Sequence, residues 1–286
     1  MKVDFFIVGA PKAGTTSLYK YLNQHQDVVM SSVKEPNYFS NEELESQDLY
    51  YASKNITDEK DYHSLFQANG EKKKLGEASV SYLFYPKVSK RIFTYNKDAK
   101  IIIILRNPVD RAYSHYKMDF RLGFVKRDFE DLVLNNNQEG SLFYQQYIDL
   151  GLYHLQVKSY IDEFGSTNVC VMFYEDLKKD RATFVNNIFS FLNLKSDSNI
   201  NFNLKYNKSK LPSNNFMRYL YSISLVRKTA SFLFNERLIN FINKNFFRES
   251  NQEIESKVRH KLNQVFLNDI FMLEKLLNKD LSSWKK

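Results

Sequence analysis

The sequence predicts an α/β protein whose central parallel sheet is flanked by helices, followed by a helical C-terminal portion. Three observations predict it. Short, continuous apolar runs recur along the first two-thirds of the chain, and runs of this kind suit parallel strands covered on both faces. Helical segments separate them, so strands and helices alternate and the strands join through right-handed crossovers. The first run ends in a glycine-containing turn that opens directly into a helix.

The elements follow in order. Residues 3–8 read as a buried strand ended by Gly9, and Gly14-Thr-Thr opens a helix to about Asn23, with Leu18 and Leu22 on one face. Residues 28–30 form a second strand, and 41–74 are polar loops with short helical pieces. A strand at 75–80 and a helix at 86–95 precede the strongest strand, Lys100-Ile-Ile-Ile-Ile-Leu105. Asn107 and Pro108 then start a helix, Asn as a cap and Pro in the first helical position, that reaches Leu122 before Gly123. Helices at 129–135 and 152–164, a strand at 168–173 and a helix at 181–193 complete the alternation. The C-terminal portion ends in a helix over 253–277, spaced on Val258, Leu262, Val265, Ile270, Leu273 and Leu277. No repeat or linker interrupts the chain. The reading is a single domain over 1–286, with an α/β core at 1–195 and a helical portion at 196–286.

Composition narrows the function classes. With 286 residues, 43% hydrophobic and 26% charged, the chain can bury a substantial core. A net charge of +8 favours an anionic partner: nucleotide, acidic glycan, lipid headgroup or nucleic acid. The lone Cys170 can form no internal disulfide and reads as a small buried core residue. No signal peptide or membrane-length apolar stretch is visible, so the expectation is a soluble, cytoplasmic protein.

The segment Gly9-Ala-Pro11-Lys12-Ala13-Gly14-Thr15-Thr16-Ser17 sits where a phosphate loop belongs. A nucleoside-triphosphatase loop requires G-x-x-x-x-G-K-[ST]. Here the glycine spacing and the Thr16 hydroxyl fit, but Thr15 replaces the lysine, and the loop's own lysine is Lys12. No partner carboxylate for magnesium stands out later, so the loop reads as built for a smaller, metal-free group. This segment resembles the 5′-phosphosulfate loop of sulfotransferases that use 3′-phosphoadenosine 5′-phosphosulfate (PAPS). Leu105-Arg106-Asn-Pro-Val-Asp-Arg-Ala-Tyr-Ser114-His-Tyr116 resembles the same family's 3′-phosphate motif. The resemblance implies a P-loop-like three-layer fold, PAPS as co-substrate with no metal, and Pro11 to Ser17, Arg106 and Ser114 as nucleotide-binding residues. A guanidinium fork and a hydroxyl suit a phosphate.

Lys12 is the natural electrophile for the charge that grows on the bridging oxygen. Val33-Lys34-Glu35-Pro36-Asn-Tyr-Phe39 resembles the segment of glycosaminoglycan (heparan-sulfate-type) sulfotransferases and their bacterial relatives that carries a glutamate base. The resemblance implies Glu35 as base, with Lys34 beside it orienting sugar or phosphate. Pro36 is expected to hold Glu35 extended. Gly76-Glu77-Ala-Ser-Val-Ser-Tyr82 resembles the stretch lining the acceptor cleft, although Ala78 stands where animal glycan enzymes often carry lysine. Glu77, Tyr82 and His154 are therefore candidate acceptor contacts. Residues 173–177 also resemble a family segment and read as structural. Residues 207–212 resemble a loop closing over the nucleotide, with Lys208 and Lys210 as phosphate contacts.

The resulting expectation is a bacterial-type PAPS-dependent enzyme that sulfates a hydroxyl or amine of a carbohydrate or glycolipid, without nucleic-acid binding. Peripheral membrane contact through 216–247 stays open, as does a non-enzymatic basic module for nucleic acid or acidic glycan, and two enzyme rivals remain. One is a nucleotide kinase or triphosphatase with a degenerate loop. The other is a sulfotransferase of small non-sugar alcohols, with a base drawn from His25, His63, His115, His154 and His260.

Overall fold

The computed structural model describes residues 2–47, 56–67, 73–134, 141–197, 199–202, 210–212, 218–219, 222–223, 247–249 and 253–286. The chain groups into two compact units: residues 1–107, 152–206 and 269–284 form the first, and 108–151, 207–268 and 285–286 the second.

The first unit is built on strands β1 (Phe5–Gly9), β2 (Val28–Met30), β3 (Lys74–Ala78), β4 (Lys100–Leu105) and β5 (Val169–Phe173). They form one sheet in the order β2-β3-β1-β4-β5, and every pairing is parallel. Burial explains why these runs are legible. Every residue of β1 is buried, as is every residue of β4 after Lys100, so both faces demand apolar side chains. β5 is an edge strand, and its three middle residues are only half-buried. Cys170, expected in the core, lies there, and desolvation pushes its thiol up to about 11.

Helices α1 (Thr15–Leu22), α2 (Asn41–Ser46), α3 (Glu59–Ser64) and α4 (Pro86–Tyr95) belong to this unit. α1 turns Leu18 and Leu22 inward, and α4 begins with proline in its first turn. The second unit contains α5 (Pro108–Leu122), α6 (Phe129–Leu134) and α7 (Leu142–Tyr147). It also holds an antiparallel pair, β6 (Lys210–Pro212) and β7 (Phe247–Glu249). The chain returns to the first unit for α8 (Tyr153–Phe164), α9 (Tyr174–Lys179) and α10 (Arg181–Phe191); the last helix, α11 (Ser256–Leu277), has residues 256–268 in the second unit and 269–277 in the first. α7 and α9, of six residues each, have no counterpart among the predicted elements.

α11 buries Val258, Leu262, Phe266, Ile270 and Leu273. Val265, part of the expected stripe, is 36% exposed, because steps of four from Val258 bring Phe266 inward instead. Asp269 on this helix accepts the backbone N–H of Tyr153 (2.7 Å) and of His154 (3.0 Å), and so caps the start of α8. Burial pushes the Asp269 carboxyl up, against the opposing pull of those two N–H groups. Trp284 packs its ring against Tyr153 and Phe173.

Asp269→Ala removes the acceptor for both N–H groups. It should lower stability by about 1 kcal/mol, read from the urea midpoint. Asp269→Asn, which keeps a capping oxygen, should recover most of that loss.

Candidate active site

In a parallel sheet all strands point one way, so the residues that follow them lie along one edge, where open α/β sheets bind ligands. The phosphate loop follows β1, the Glu35 turn follows β2, Ser79 follows β3, Arg106 follows β4 and Tyr174 follows β5.

The loop is held from beneath by β4. Ala10 N–H donates to the Ile104 carbonyl at 2.7 Å, and Ala13 N–H turns back to the Ala10 carbonyl at 3.2 Å. Lys12 has φ 68° and Gly14 φ 94°, both left-handed. Gly14 is the N-cap of α1, and no side chain caps that first turn. Its amides are the orphan donors that an anion satisfies at a helix start. A Cβ at Gly14 would sit 2.8 Å from Leu177 Cδ2 and 3.1 Å from Tyr174 Cδ2, so α9 presses on the loop there. Pro11, Thr16 and Ser17 are half-buried, whereas Ala13 and Thr15 are buried.

Arg106 Nη1 donates to the Lys12 carbonyl at 3.1 Å, which ties the end of β4 to the loop. The guanidinium lies over the Tyr174 ring, 4.7 Å from its centroid, and Tyr153 Oη donates to the Arg106 carbonyl at 3.0 Å. Glu175 Oε1 accepts the Asn107 N–H at 3.3 Å. Residues 173–177 read as structural in the sequence, yet Tyr174 forms one wall against both Arg106 and Gly14. Its position directly after a strand, like that of Arg106, is the signal that would have found it.

The Glu35 turn is a correction. Pro36 keeps Glu35 out of the right-handed helix, but the backbone is not extended: φ is 65° at Glu35 and 54° at Asn37. Hydrogen bonds to the end of β3 hold it so. Glu35 N–H donates to the Ala78 carbonyl at 2.9 Å, Asn37 N–H to Ser79 Oγ at 3.1 Å, and Ser81 Oγ to Asn37 Oδ1 at 2.8 Å. Lys34 Nζ pairs with Glu35 Oε1, with the Glu35 side chain 38% exposed.

Glu77 and Tyr82 are both at 0% exposure, enclosed in the interior rather than on an open cleft wall. Tyr62 Oη donates to Glu77 Oε2 at 2.6 Å and Ser79 Oγ to Oε1 at 2.7 Å; the Tyr82 hydroxyl nearby also favours the charged carboxylate. Burial nevertheless raises the carboxyl from its ordinary 4.5 to about 7, against the pull of those three hydroxyls.

The family model for the sulfotransferase domain matches residues 2–266. The chain belongs to the sulfotransferase family. It is similar along its whole length to a solved sulfotransferase from Alicyclobacillus acidocaldarius, 30% identical with a TM-score of 0.72, covering 100% of both chains. The sulfotransferase domain from the curacin biosynthetic pathway shares the fold at 15% identity and a TM-score of 0.53, covering 94% of this chain and 97% of that one. Among curated proteins, human carbohydrate sulfotransferase 15 is 24% identical over 66% of this chain and 43% of its own length. Mouse heparan sulfate glucosamine 3-O-sulfotransferase 3A1 is 27% identical over 66% and 45%. The membrane-associated sulfotransferase kil1 of Dictyostelium discoideum is 34% identical over 44% and 24%. The chain spans less than half the length of these curated relatives.

In this sulfotransferase, Ser114 is half-buried on α5 of the second unit. Lys208 lies outside the described residues, as does most of 216–247, and Lys210 opens β6. His154 starts α8. The other histidines are partnered: His25 with the Lys195 carbonyl, His63 with Tyr95, His115 with Arg111, His260 with Gln264. Among the described residues no cluster of three or more His, Cys, Asp or Glu side chains is placed for a metal ion, and no helix is long and apolar enough to cross a membrane.

Gly14→Ala should cost about 1–2 kcal/mol of stability, because alanine disfavours the left-handed backbone and its methyl meets Leu177. The urea midpoint reads it. Glu77 makes stability depend on pH in a defined direction. Its carboxyl is raised on folding, so its contribution is complete below about pH 4.5 and is lost as pH rises through about 7. Unfolding free energy should decline by on the order of 3 kcal/mol across that window, and Glu77→Gln should abolish that part of the slope.

Proposed function

We propose that this sulfotransferase moves the sulfuryl group of PAPS to a hydroxyl or amine of a carbohydrate acceptor, with Glu35 as base. The observation that carries the reading is the Arg106 hydrogen bond to the Lys12 carbonyl, which sets a guanidinium beside a loop whose helix start has no side-chain cap. That loop fits a phosphosulfate: backbone amides face outward at α1, and Gly14 has room for no side chain. Bound PAPS supplies a sulfur whose leaving group is its 5′-phosphate oxygen.

Lys12 and the first amides of α1 bind the 5′-phosphosulfate and stabilise charge on the bridging oxygen as its bond to sulfur breaks. Glu35 takes the acceptor's proton while the acceptor atom bonds to sulfur, and Lys34 holds the carboxylate in place. Arg106 and Ser114, assigned from the sequence motif, take the 3′-phosphate, with Lys208 and Lys210 as further cations. The left-handed backbone at Lys12 and Glu35 supports these roles, since strain of about 1–3 kcal/mol per residue collects where geometry serves function. The names of the glycan-acting relatives support a carbohydrate acceptor, and the full-length match to the bacterial structure supports a bacterial-type enzyme.

Melting temperature tests the donor. Adenosine 3′,5′-bisphosphate at 100 times its Kd should stabilise by about 2.7 kcal/mol. ATP with magnesium should not match it, and no shift with the bisphosphate overturns the reading. Glu35→Gln should keep that shift while sulfate transfer falls about 100-fold or more; full transfer by the variant excludes Glu35 as base.

A further inference from the structure

We propose that Glu77 is a positioning residue for the base: through the Ser79 hydroxyl it fixes the turn that carries Glu35. The inference rests on the reading of Glu35 as base.

The geometry runs through one hydroxyl that does two things. Ser79 Oγ donates to Glu77 Oε1 at 2.7 Å and accepts the Asn37 N–H at 3.1 Å. Beside it, Tyr82 Oη accepts the Phe39 N–H at 3.2 Å. A hydroxyl has a single hydrogen to give. An ionised carboxylate only accepts, so it draws the Ser79 hydrogen inward and leaves the hydroxyl's lone pairs facing the Asn37 amide. A carboxylic acid or a carboxamide brings hydrogen of its own. It then competes with the Ser79 and Tyr62 hydroxyls to donate, and each time Ser79 turns round the hold on the Asn37 N–H is disturbed.

The turn needs such an anchor. Glu35 and Asn37 are both left-handed, on either side of Pro36, and backbone of this kind persists only where its surroundings over-determine it. The amides of residues 37 and 39 are two of its attachment points, and that of residue 37 leads to Glu77 within two hydrogen bonds.

The groups facing Glu77 are phenols from several elements: Tyr62 of α3, Tyr82 after β3, Tyr95 of α4 and Tyr160 of α8. Desolvation first, and the Glu77 charge with it, pushes each of those phenols up, so they remain hydroxyl donors near neutral pH. Burial raises the Glu77 carboxyl to about 7, which brings the change from acceptor-only to donor into the neutral range.

The experiment compares wild type, Glu77→Gln, Ser79→Ala and Glu35→Gln, using radiolabelled PAPS and desulfated glycosaminoglycan. Adenosine 3′,5′-bisphosphate binding and amide hydrogen exchange over residues 35–39 are measured in parallel. Glu77→Gln and Ser79→Ala should bind the bisphosphate as wild type does, exchange faster over 35–39, and lose about 10- to 100-fold in kcat. The wild-type kcat/KM should rise with pH through about 7, and Glu77→Gln should lack that limb. Should Glu77→Gln fail to fold, Ser79→Ala carries the exchange and kcat test alone. Unchanged exchange and kcat in the folded variants overturn the proposal, even where Glu35→Gln is inactive and the base reading stands. Full activity of Glu35→Gln sinks the base reading instead, and the exchange data still report whether Glu77 anchors the turn.

Discussion

A parallel sheet cannot return its strands to their starting edge, so all five strand ends of the first unit open on the same side. Each site residue of that unit inherits its position from this constraint. β1 and β4 meet where the chain crosses to opposite sides of β1 in building the rest of the sheet. There the Arg106 side chain is gripped by the Lys12 carbonyl and the Tyr174 ring, and its own carbonyl by Tyr153 Oη. A long, flexible cation is thereby held by groups from two other segments. Little of its rotamer entropy is left to lose when an anion arrives.

The two residues assigned to chemistry, Lys12 and Glu35, lie on strained backbone attached to rigid strands. At Lys12 the loop is fastened to β4 by the Ala10 amide; at Glu35 the turn is fastened to the end of β3 through Ala78, Ser79 and Ser81. Rigid elements supply what loops alone do not, a fixed geometry for groups that act on a reacting atom.

The second unit solves a different problem, that of a polar interior. Arg111 is fully buried and donates to the carbonyls of Gln146 (2.9 Å) and Tyr147 (2.7 Å) at the end of α7, where a cation is favoured. Tyr147 Oη donates to buried Asp119 at 2.8 Å. These groups take the inner side of α5, while Ser114 lies between them in sequence on its half-buried side.

The chain by itself determined the strands, the loop and the order of the nucleotide motifs. β1 and β4 are covered on both faces, so burial wrote them as unbroken apolar runs, and a glycine at a left-handed N-cap admits no substitute that a reader could miss. Helices α7 and α9 had no counterpart in the sequence reading. Cys170 and Val265 were misjudged because an edge strand and one step around a helix are matters of neighbours. Only the tertiary structure decided that Glu35 turns left-handed, that Tyr174 stands under Arg106, and that Glu77 is enclosed. Each depends on partners distant in sequence, such as Ser79 for residue 37 or Lys12 for residue 106, and such contacts leave no local pattern to read.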